Sequence, residues 1–257
     1  NWSDGAPPTL SCPNVYILGS RNFKSTLNSG TASINNLIIM GDGVVTVTNA
    51  TLRIAGSITQ NLPQTIVATS GTIEFNGTTG TQNIAGSYFL TNTVQNLTVS
   101  NGSGVAVSAI GTDSLNITGA LLFGTVNATL NTGNNVTLKS SATATANVGP
   151  QAAGNIVTGE VTVERYLVNG RKWRLLSVPT NNATQSVRSS WLENGSLPGP
   201  VGYGFLAADT RADFAARGFD VRGTNTSVKI FNPAIADWVP VDNTLSPIKN
   251  NQGYIVF

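Results

Sequence analysis

Short alternations of apolar and polar residues recur from about residue 34 to residue 163. Each alternating segment is only three or four residues long, as in Val44-Val45-Thr46-Val47, Leu52-Arg53-Ile54 and Val136-Thr137-Leu138. Asn, Gly, Thr and Ser fill the gaps between these segments. Alternation with a period of two predicts half-buried β-strands. The sequence therefore predicts an all-β fold that is built from many very short strands.

An internal repeat relates residues 36–58 to residues 96–121. Both read Asn-Leu-x-(Ile/Val), a glycine turn, Val-x-Val and Leu-x-Ile-x-Gly-x-(Ile/Leu). Self-similar short strands with turn residues at each corner are typical of a β-solenoid, in which stacking neighbouring turns buries the core. The alternation also fits an antiparallel sandwich. Strands this short, without clean two-residue hairpin turns, favour the β-solenoid.

The composition changes near residues 158–166. Eight charged residues precede residue 158 and 18 follow it, together with 11 of the 18 aromatic residues. We therefore predict a β-solenoid rod over 1–160 and a compact, sandwich-like β-rich domain over 161–257 that caps or joins it. In the second domain the pattern predicts strands at 172–178, 227–231 and 252–257. It also predicts short helices at 185–193 and around 211–217.

The surface is predicted to be polar but weakly charged. Charged residues make up 10% of the chain, against roughly 25% in ordinary globular domains, whereas Asn alone occurs 29 times. Such a surface suits the cell exterior. Lys and Arg are scattered and the net charge is +2. Nucleic-acid binding needs a concentrated basic face, so we predict that nucleic acid is not a partner. No apolar stretch approaches the ~20 residues that span a bilayer.

The sequence lacks most of the residues on which catalysis and metal binding depend. It has no histidine, and Cys12, its one cysteine, is interpreted as a small buried apolar residue. A polysaccharide-degrading β-helix, the main enzymatic alternative, needs two carboxylates about 5–10 Å apart. The acids of the first domain, Asp4, Asp42, Glu74 and Asp113, are more than thirty residues apart. We therefore predict no catalytic residues, metal ligands or cofactor.

Several motifs resemble the repeat modules of very long Bacteroidetes surface proteins. They are Trp2-Ser3-Asp4-Gly5-Ala6-Pro7-Pro8, Asn14-Val15-Tyr16-Ile17, Ile73-Glu74-Phe75-Asn76-Gly77, Gln82-Asn83-Ile84-Ala85-Gly86, Asn96-Leu97-Thr98-Val99, Val161-Thr162-Val163-Glu164-Arg165-Tyr166, Trp173-Arg174-Leu175-Leu176-Ser177-Val178-Pro179, Gly218-Phe219-Asp220, Val228-Lys229-Ile230-Phe231-Asn232 and Gly253-Tyr254. The resemblance covers nearly the whole chain. It implies secretion by a type IX-like route and an adhesive or structural role, although the family's usual C-terminal sorting domain is not seen in this sequence.

The preferred hypothesis is a non-enzymatic extracellular protein that self-associates end to end into a fibre or surface array. The start without Met and the apolar last strand indicate a processed piece of a longer protein. A strand edge lets another chain pair through main-chain hydrogen bonds without specific side-chain chemistry. The predicted assembly edge consists of Gln252, Gly253, Tyr254, Ile255, Val256 and Phe257.

The alternative hypothesis is an adhesin or carbohydrate-binding stalk with a glycan or a host or matrix ligand. Trp173, Trp191, Tyr203, Trp238 and Tyr254 could stack on sugar rings, and most of them are interpreted as core residues. Trp238 is the candidate glycan contact, because its neighbours Asp237 and Pro240 indicate a turn.

Two further features are predicted from local motifs. Asp113-Ser114-Leu115 resembles the Asp-Ser/Thr-apolar acceptor of Bacteroidetes O-glycosylation, which makes Ser114 a candidate modification site. Asp209, Asp213 and Asp220 lie among three arginines and lack the Asp-x-Asp-x-Asp-Gly series of a calcium loop. They are therefore predicted to form a surface charge network.

Overall fold

The computed structural model describes residues 8–19, 25–108, 114–168, 170, 172–192 and 204–257. The chain divides into two compact units, Asn1–Tyr166 and Leu167–Phe257. The division lies a few residues beyond the sequence-derived boundary at 160, because Val161–Val163 pairs with a strand of the first unit.

The first unit is a parallel β-solenoid of about six turns, which confirms the predicted fold class. Its strands are β1 (Asn14–Leu18), β2 (Ser25–Leu27), β3 (Thr31–Ile34), β4 (Asn36–Met40), β5 (Val45–Ile54), β6 (Ile58–Gln60), β7 (Ile66–Phe75), β8 (Gln82–Ala85), β9 (Phe89–Val99), β10 (Val105–Ser108), β11 (Leu115–Ile117), β12 (Ala120–Phe123), β13 (Thr129–Asn131), β14 (Val136–Leu138), β15 (Asn147–Val148), β16 (Ile156–Thr158) and β17 (Val161–Val163). A single 3-10 turn, Gly86–Tyr88, precedes β9.

Asparagine forms several corners of the solenoid. The first half of β5 pairs with β2 and its second half with β3, so the strand bends between them. At the bend Asn49 has a left-handed φ of 52°, and Asn92, Asn127 and Asn134 adopt similar values elsewhere. Asparagine tolerates this conformation better than most residues, because its short amide can bond locally. The abundance of asparagine therefore has a structural use as well as a surface one.

Inward side chains stack in columns that run from turn to turn. One column contains Ala32, Leu52, Ile73, Leu97, Leu121 and Val148, in register from β3 to β15. Full burial of such a side chain stabilises the fold by about 1.5–3 kcal/mol. Outward residues are in register too: Arg53 and Glu74, 21 residues apart, form an ion pair between successive turns, with 2.6 Å from Nε to Oε2.

The second unit contains one four-stranded antiparallel sheet, in the order β18-β23-β21-β22. Its elements are β18 (Arg174–Ser177), α1 (Val187–Trp191), β19 (Ala208–Asp209), β20 (Val221–Arg222), β21 (Val228–Asn232), β22 (Asp237–Pro240) and β23 (Gly253–Val256). One face of the sheet contributes Val228, Tyr254 and Val256 to a core that also contains Val187 of α1. The short strands β19 and β20 form a separate parallel pair.

One of the two predicted helices is present. Helix α1 begins after Ser186, whose hydroxyl accepts a hydrogen bond from the Ser189 N–H, while the Ser189 hydroxyl accepts one from the Ser186 N–H. This reciprocal capping box satisfies N–H groups at the start of the helix. The prediction of a helix around 211–217 is wrong. The chain forms successive turns there and ends them at Gly218, which has a left-handed φ of 76°.

Candidate functional site

The last turn of the solenoid exposes side chains from columns that are buried in earlier turns. Leu121 is 1% exposed, whereas Val148, the next residue in its column, is 44% exposed. Leu130 is fully buried, whereas its partner Val157 is 37% exposed. Among the described residues, β15 and β16 each pair with one neighbouring strand. This open end combines a free strand edge with apolar surface, the two features that favour pairing with another chain.

The first turn also has a strand with one described neighbour. Within the described ranges β1 pairs with β4 alone, and its inward residues Val15 and Ile17 are buried. Its outward residues Tyr16 and Leu18 are exposed. The opposite edge of β1 is therefore a second candidate for strand pairing.

The predicted assembly edge at 252–257 is not an edge in this fold, and the structure corrects that prediction. Strand β23 lies between β18 and β21, so that Tyr254 is paired with Leu176 on one side and Ile230 on the other. The flanking residues are engaged as well, since the Gln252 amide donates to the Phe231 carbonyl. Alternation in the sequence indicated a strand correctly but did not specify how many neighbours it has.

The other face of the same sheet is apolar and solvent-exposed. Strand alternation places Leu175, Lys229 and Ile255 side by side on it, and Leu175 is 74% exposed. Four aromatic residues lie on the same side, and three of them, Trp173, Phe231 and Phe257, are exposed. We refer to this set as the outer aromatic face: Trp173, Leu175, Lys229, Phe231, Trp238, Ile255 and Phe257.

The four rings form two pairs. The ring centroids of Trp173 and Phe257 are 5.2 Å apart, and those of Phe231 and Trp238 are 5.5 Å apart. Gly253 lies beneath the second pair, where an added Cβ would be 3.7 Å from the Trp238 ring. Tilted and edge-to-face arrangements stabilise an aromatic pair by more than the burial of its apolar surface alone. The pairing therefore holds the rings in place on an exposed surface.

Comparisons with protein-family models, curated proteins and solved structures give no match.

The structure separates the aromatic residues that the sequence grouped together. Trp191 and Tyr254 pack edge to face in the core, with centroids 5.2 Å apart. Trp173 and Trp238 lie on the outer aromatic face, and Tyr203 is outside the described residues. Trp238 is partly buried, and Asp237–Pro240 is strand β22 and not the turn that its neighbours indicated. A glycan contact by Trp238 stays a prediction. Phe231, Phe257 and Lys229 were missed, because only strand pairing brings them beside the tryptophans.

Ser114 lies immediately before β11 and is half-buried. Its Oγ is 3.1 Å from the Thr137 Oγ1 of the next turn, so its hydroxyl takes part in a contact between turns. Asp113, the first residue of the predicted glycosylation motif, is outside the described residues. Modification of Ser114 stays a prediction.

Four carboxylates of the second unit form ion pairs with arginines: Arg211 and Arg217 join three of them in one network, and Arg188 pairs separately with Asp220. Arg211 contacts both Asp209 and Asp242, and Arg217 contacts both Asp213 and Asp242. Asp209 is buried, and its Oδ1 also accepts hydrogen bonds from the Thr210 N–H and the Thr226 hydroxyl. Burial raises the pKa of Asp209. The hydrogen bonds and charge of Arg211, with those two donors, outweigh burial and hold the pKa below its usual value.

Stability of the second unit is predicted to depend on this carboxylate in acid. Because the pKa of Asp209 is lower in the folded chain, its contribution is complete above the unfolded pKa of about 4 and is lost as the pH falls through the folded pKa. We expect the free energy of unfolding to fall below about pH 4. Urea unfolding followed by tryptophan fluorescence measures this, since Trp173, Trp191 and Trp238 lie in this unit.

An Asp209→Asn variant should have a shallower acid dependence than the parent chain and lower stability at pH 7. The matched control is Asp237→Asn, because Asp237 is exposed. A free energy of unfolding that stays constant to pH 3 in the parent chain would contradict this assignment.

The described residues contain no group of three or more Cys, Asp or Glu side chains that could hold a metal ion. Glu74, one of the acids considered for glycoside cleavage, contacts Arg53 and accepts a hydrogen bond from the Ser100 hydroxyl. Asp4 and Asp113 are outside the described residues. Cys12 is partly buried against the solenoid core. Among the helices that the structure describes, none has the length and apolar character to cross a bilayer.

Proposed function

We propose that this chain is a non-enzymatic structural protein of the cell exterior, a subunit or segment of a fibre in which copies associate end to end. The observation that carries the proposal is the open last turn, where Val148 and Val157 continue buried columns and are themselves exposed. Another turn placed there would bury both side chains and pair the free edges of β15 and β16.

The first turn of a second copy is the occupant we propose for this end. The strands of the solenoid pair in parallel at both ends, β1 with β4 and β16 with β13, so β1 of the next copy can add to β16 in the same parallel sense. Such a head-to-tail contact joins two different surfaces and generates an open filament when the rotation between copies does not close a ring. Main-chain hydrogen bonds supply affinity in strand addition, and pockets for alternate side chains supply specificity.

An extracellular location is part of the same proposal. The low content of charged residues and the abundance of asparagine support it. The resemblance to Bacteroidetes surface proteins supports export by a type IX-like route. A rod with few acids and no histidine is suited to bearing or extending a surface and less suited to chemistry.

Replacing Val148 and Val157 together by lysine should block association. Burial of two unpaired ammonium groups in a junction is strongly unfavourable, and we expect the junction to weaken by about a hundredfold or more. Both side chains are exposed in the single chain, so the variant should fold. Sedimentation velocity over a range of concentrations measures the association.

Val126→Lys is the matched control, because Val126 is 57% exposed in a turn between strands. It should assemble as the parent chain does. Equal association of the parent and the doubly substituted chain would show that the last turn is not the junction.

A second candidate function is supported by the outer aromatic face. Exposed aromatic rings can stack on the faces of sugar rings, so the chain would act as an adhesin or a carbohydrate-binding stalk, with a glycan of a host or matrix as its ligand. Trp238 is the central residue of this alternative. Its replacement by alanine should abolish retention of the chain on immobilised glycans, and unchanged retention would exclude this face.

A further inference from the structure

We propose that the outer aromatic face binds an acidic polysaccharide, with sugar rings stacked on the two ring pairs and a uronate carboxylate beside Lys229. This inference rests on the second candidate function and extends it by naming the class of glycan. Shape, charge and the position of the strand edges support it separately.

The dimensions of the face suit an extended chain. Gly253 in β23 lies beneath the Phe231–Trp238 pair. Phe257, four residues later and just after β23, belongs to the other pair. At the rise of an antiparallel strand, the two ring pairs are therefore separated by roughly 13 Å along the direction of β23. Ile255 lies between them, with Leu175 on one side and Lys229 on the other, so the surface between the pairs is apolar apart from one ammonium group. A glycan of several units can contact both pairs at once.

The charge of the face favours an anion. The Lys229 Nζ lies 5.2 Å from the centroid of the Trp173 ring and belongs to none of the ion pairs found among the described residues. Four of the five carboxylate side chains in the described part of this unit are paired with arginines. The fifth, Asp237, is next to Trp238, and alternation directs it to the opposite side of the sheet. Lys229 is thus left to pair with a ligand.

A glycan fits this surface better than an acidic peptide. A peptide that adds to a sheet pairs with the main chain of an edge strand, and the edges of this sheet are β18 and β22. The rings and Lys229 are on the broad face, and two of the rings lie over the interior strands β21 and β23 or their ends. Side-chain stacking is the contact that such a face offers.

The test compares polygalacturonate with the same polymer after full methyl esterification, which removes the charge and keeps the sugar rings. Affinity electrophoresis and calorimetry at low salt give the dissociation constants. Trp238→Ala should weaken polygalacturonate binding by roughly tenfold or more. Lys229→Gln should weaken it by about threefold to fivefold, the size of an exposed ion pair, and leave binding of the ester unchanged. Leu245→Ala, at an exposed apolar position away from the sheet, is the control.

Preferential binding of polygalacturonate with these two losses supports the inference. Equal binding of both polymers, lost in Trp238→Ala, overturns the acidic preference and leaves the carbohydrate-binding function standing. Absence of binding to either polymer overturns both. Binding of poly-glutamate as tightly as polygalacturonate overturns the assignment to a glycan. Circular dichroism and the thermal midpoint of each variant show that a loss of binding is not a loss of fold.

Discussion

Replacing Phe75 by alanine is expected to lower the free energy of unfolding of the first unit by about 3–5 kcal/mol. Phe75 is 1% exposed and lies in an inward column between Ile54 and Val99. Because the neighbouring turns are held in register by main-chain hydrogen bonds, they can collapse only partly into the space that the ring leaves. The cost therefore combines lost burial with a residual cavity.

Urea unfolding followed by circular dichroism at pH 7 measures the change. The control is Leu62→Ala, at a half-exposed position in a turn, where the expected change is within about 0.5 kcal/mol. A loss below 1 kcal/mol at Phe75 would mean that its ring is not packed between turns, and that the stacking described for this column is incorrect.

The second large effect is expected from Gln82→Met, which keeps the length of the side chain and removes its hydrogen bonds. The Gln82 amide donates to the carbonyls of Ile54 and Gly56, and its oxygen accepts from the Gly77 N–H. The same oxygen accepts from the amide of Asn101, which is fully buried. Each buried polar group left unpaired costs about 1–3 kcal/mol, so the expected loss is about 3 kcal/mol or more.

Gln151→Met provides the matched control, because Gln151 is exposed and its amide donates to a nearby carbonyl, that of Gly149. Its unfolding free energy should change by less than about 0.5 kcal/mol. If both methionine variants are equally stable, the network around Gln82 contributes nothing measurable and water replaces it in the folded chain.

The solenoid fold could be predicted from the sequence because its signal is local. In the segment Leu52-Arg53-Ile54, for example, the two apolar residues are buried and Arg53 points outward, as alternation requires. Frequent corner residues favour a solenoid over long hairpins for the same local reason, but the short segments merge in pairs into β5 and β7, of 10 residues each, and β9, of 11 residues. Helix α1 was similarly predictable, since Ser186 and Ser189 can cap the segment that follows.

The register of the turns was not predictable from the internal repeat. Leu52 and Leu115 occupy equivalent positions in the two copies of the repeat. In the structure, however, Leu52 lies in the half of β5 that pairs with β3, whereas Leu115 lies in β11, which pairs with β14. Similarly, Asn36 begins β4, whereas Asn96 lies in the second half of β9. The two copies are therefore shifted by one side of the solenoid. An apolar-x-apolar segment can form a strand on any side of the solenoid, so sequence similarity alone does not reveal which strands stack on one another.

The candidate sites depended on the same long-range information. Residues 252–257 were correctly predicted to include a strand, but β18 and β21 flank it on both sides. One ring pair of the outer aromatic face joins Trp173 and Phe257, which are far apart in sequence and meet just beyond the ends of β18 and β23. Likewise, exposure of Val148 is visible only when its column is traced back to Leu121.

Negative-stain electron microscopy of the purified chain tests the central claim most directly. Grids are prepared from micromolar protein at physiological salt, for the parent chain and for the variant with lysine at positions 148 and 157. End-to-end association predicts unbranched filaments that lengthen with concentration in the parent chain and are absent from the variant. Dispersed short particles of the parent chain at every concentration would contradict the account of this protein as a fibre-forming unit.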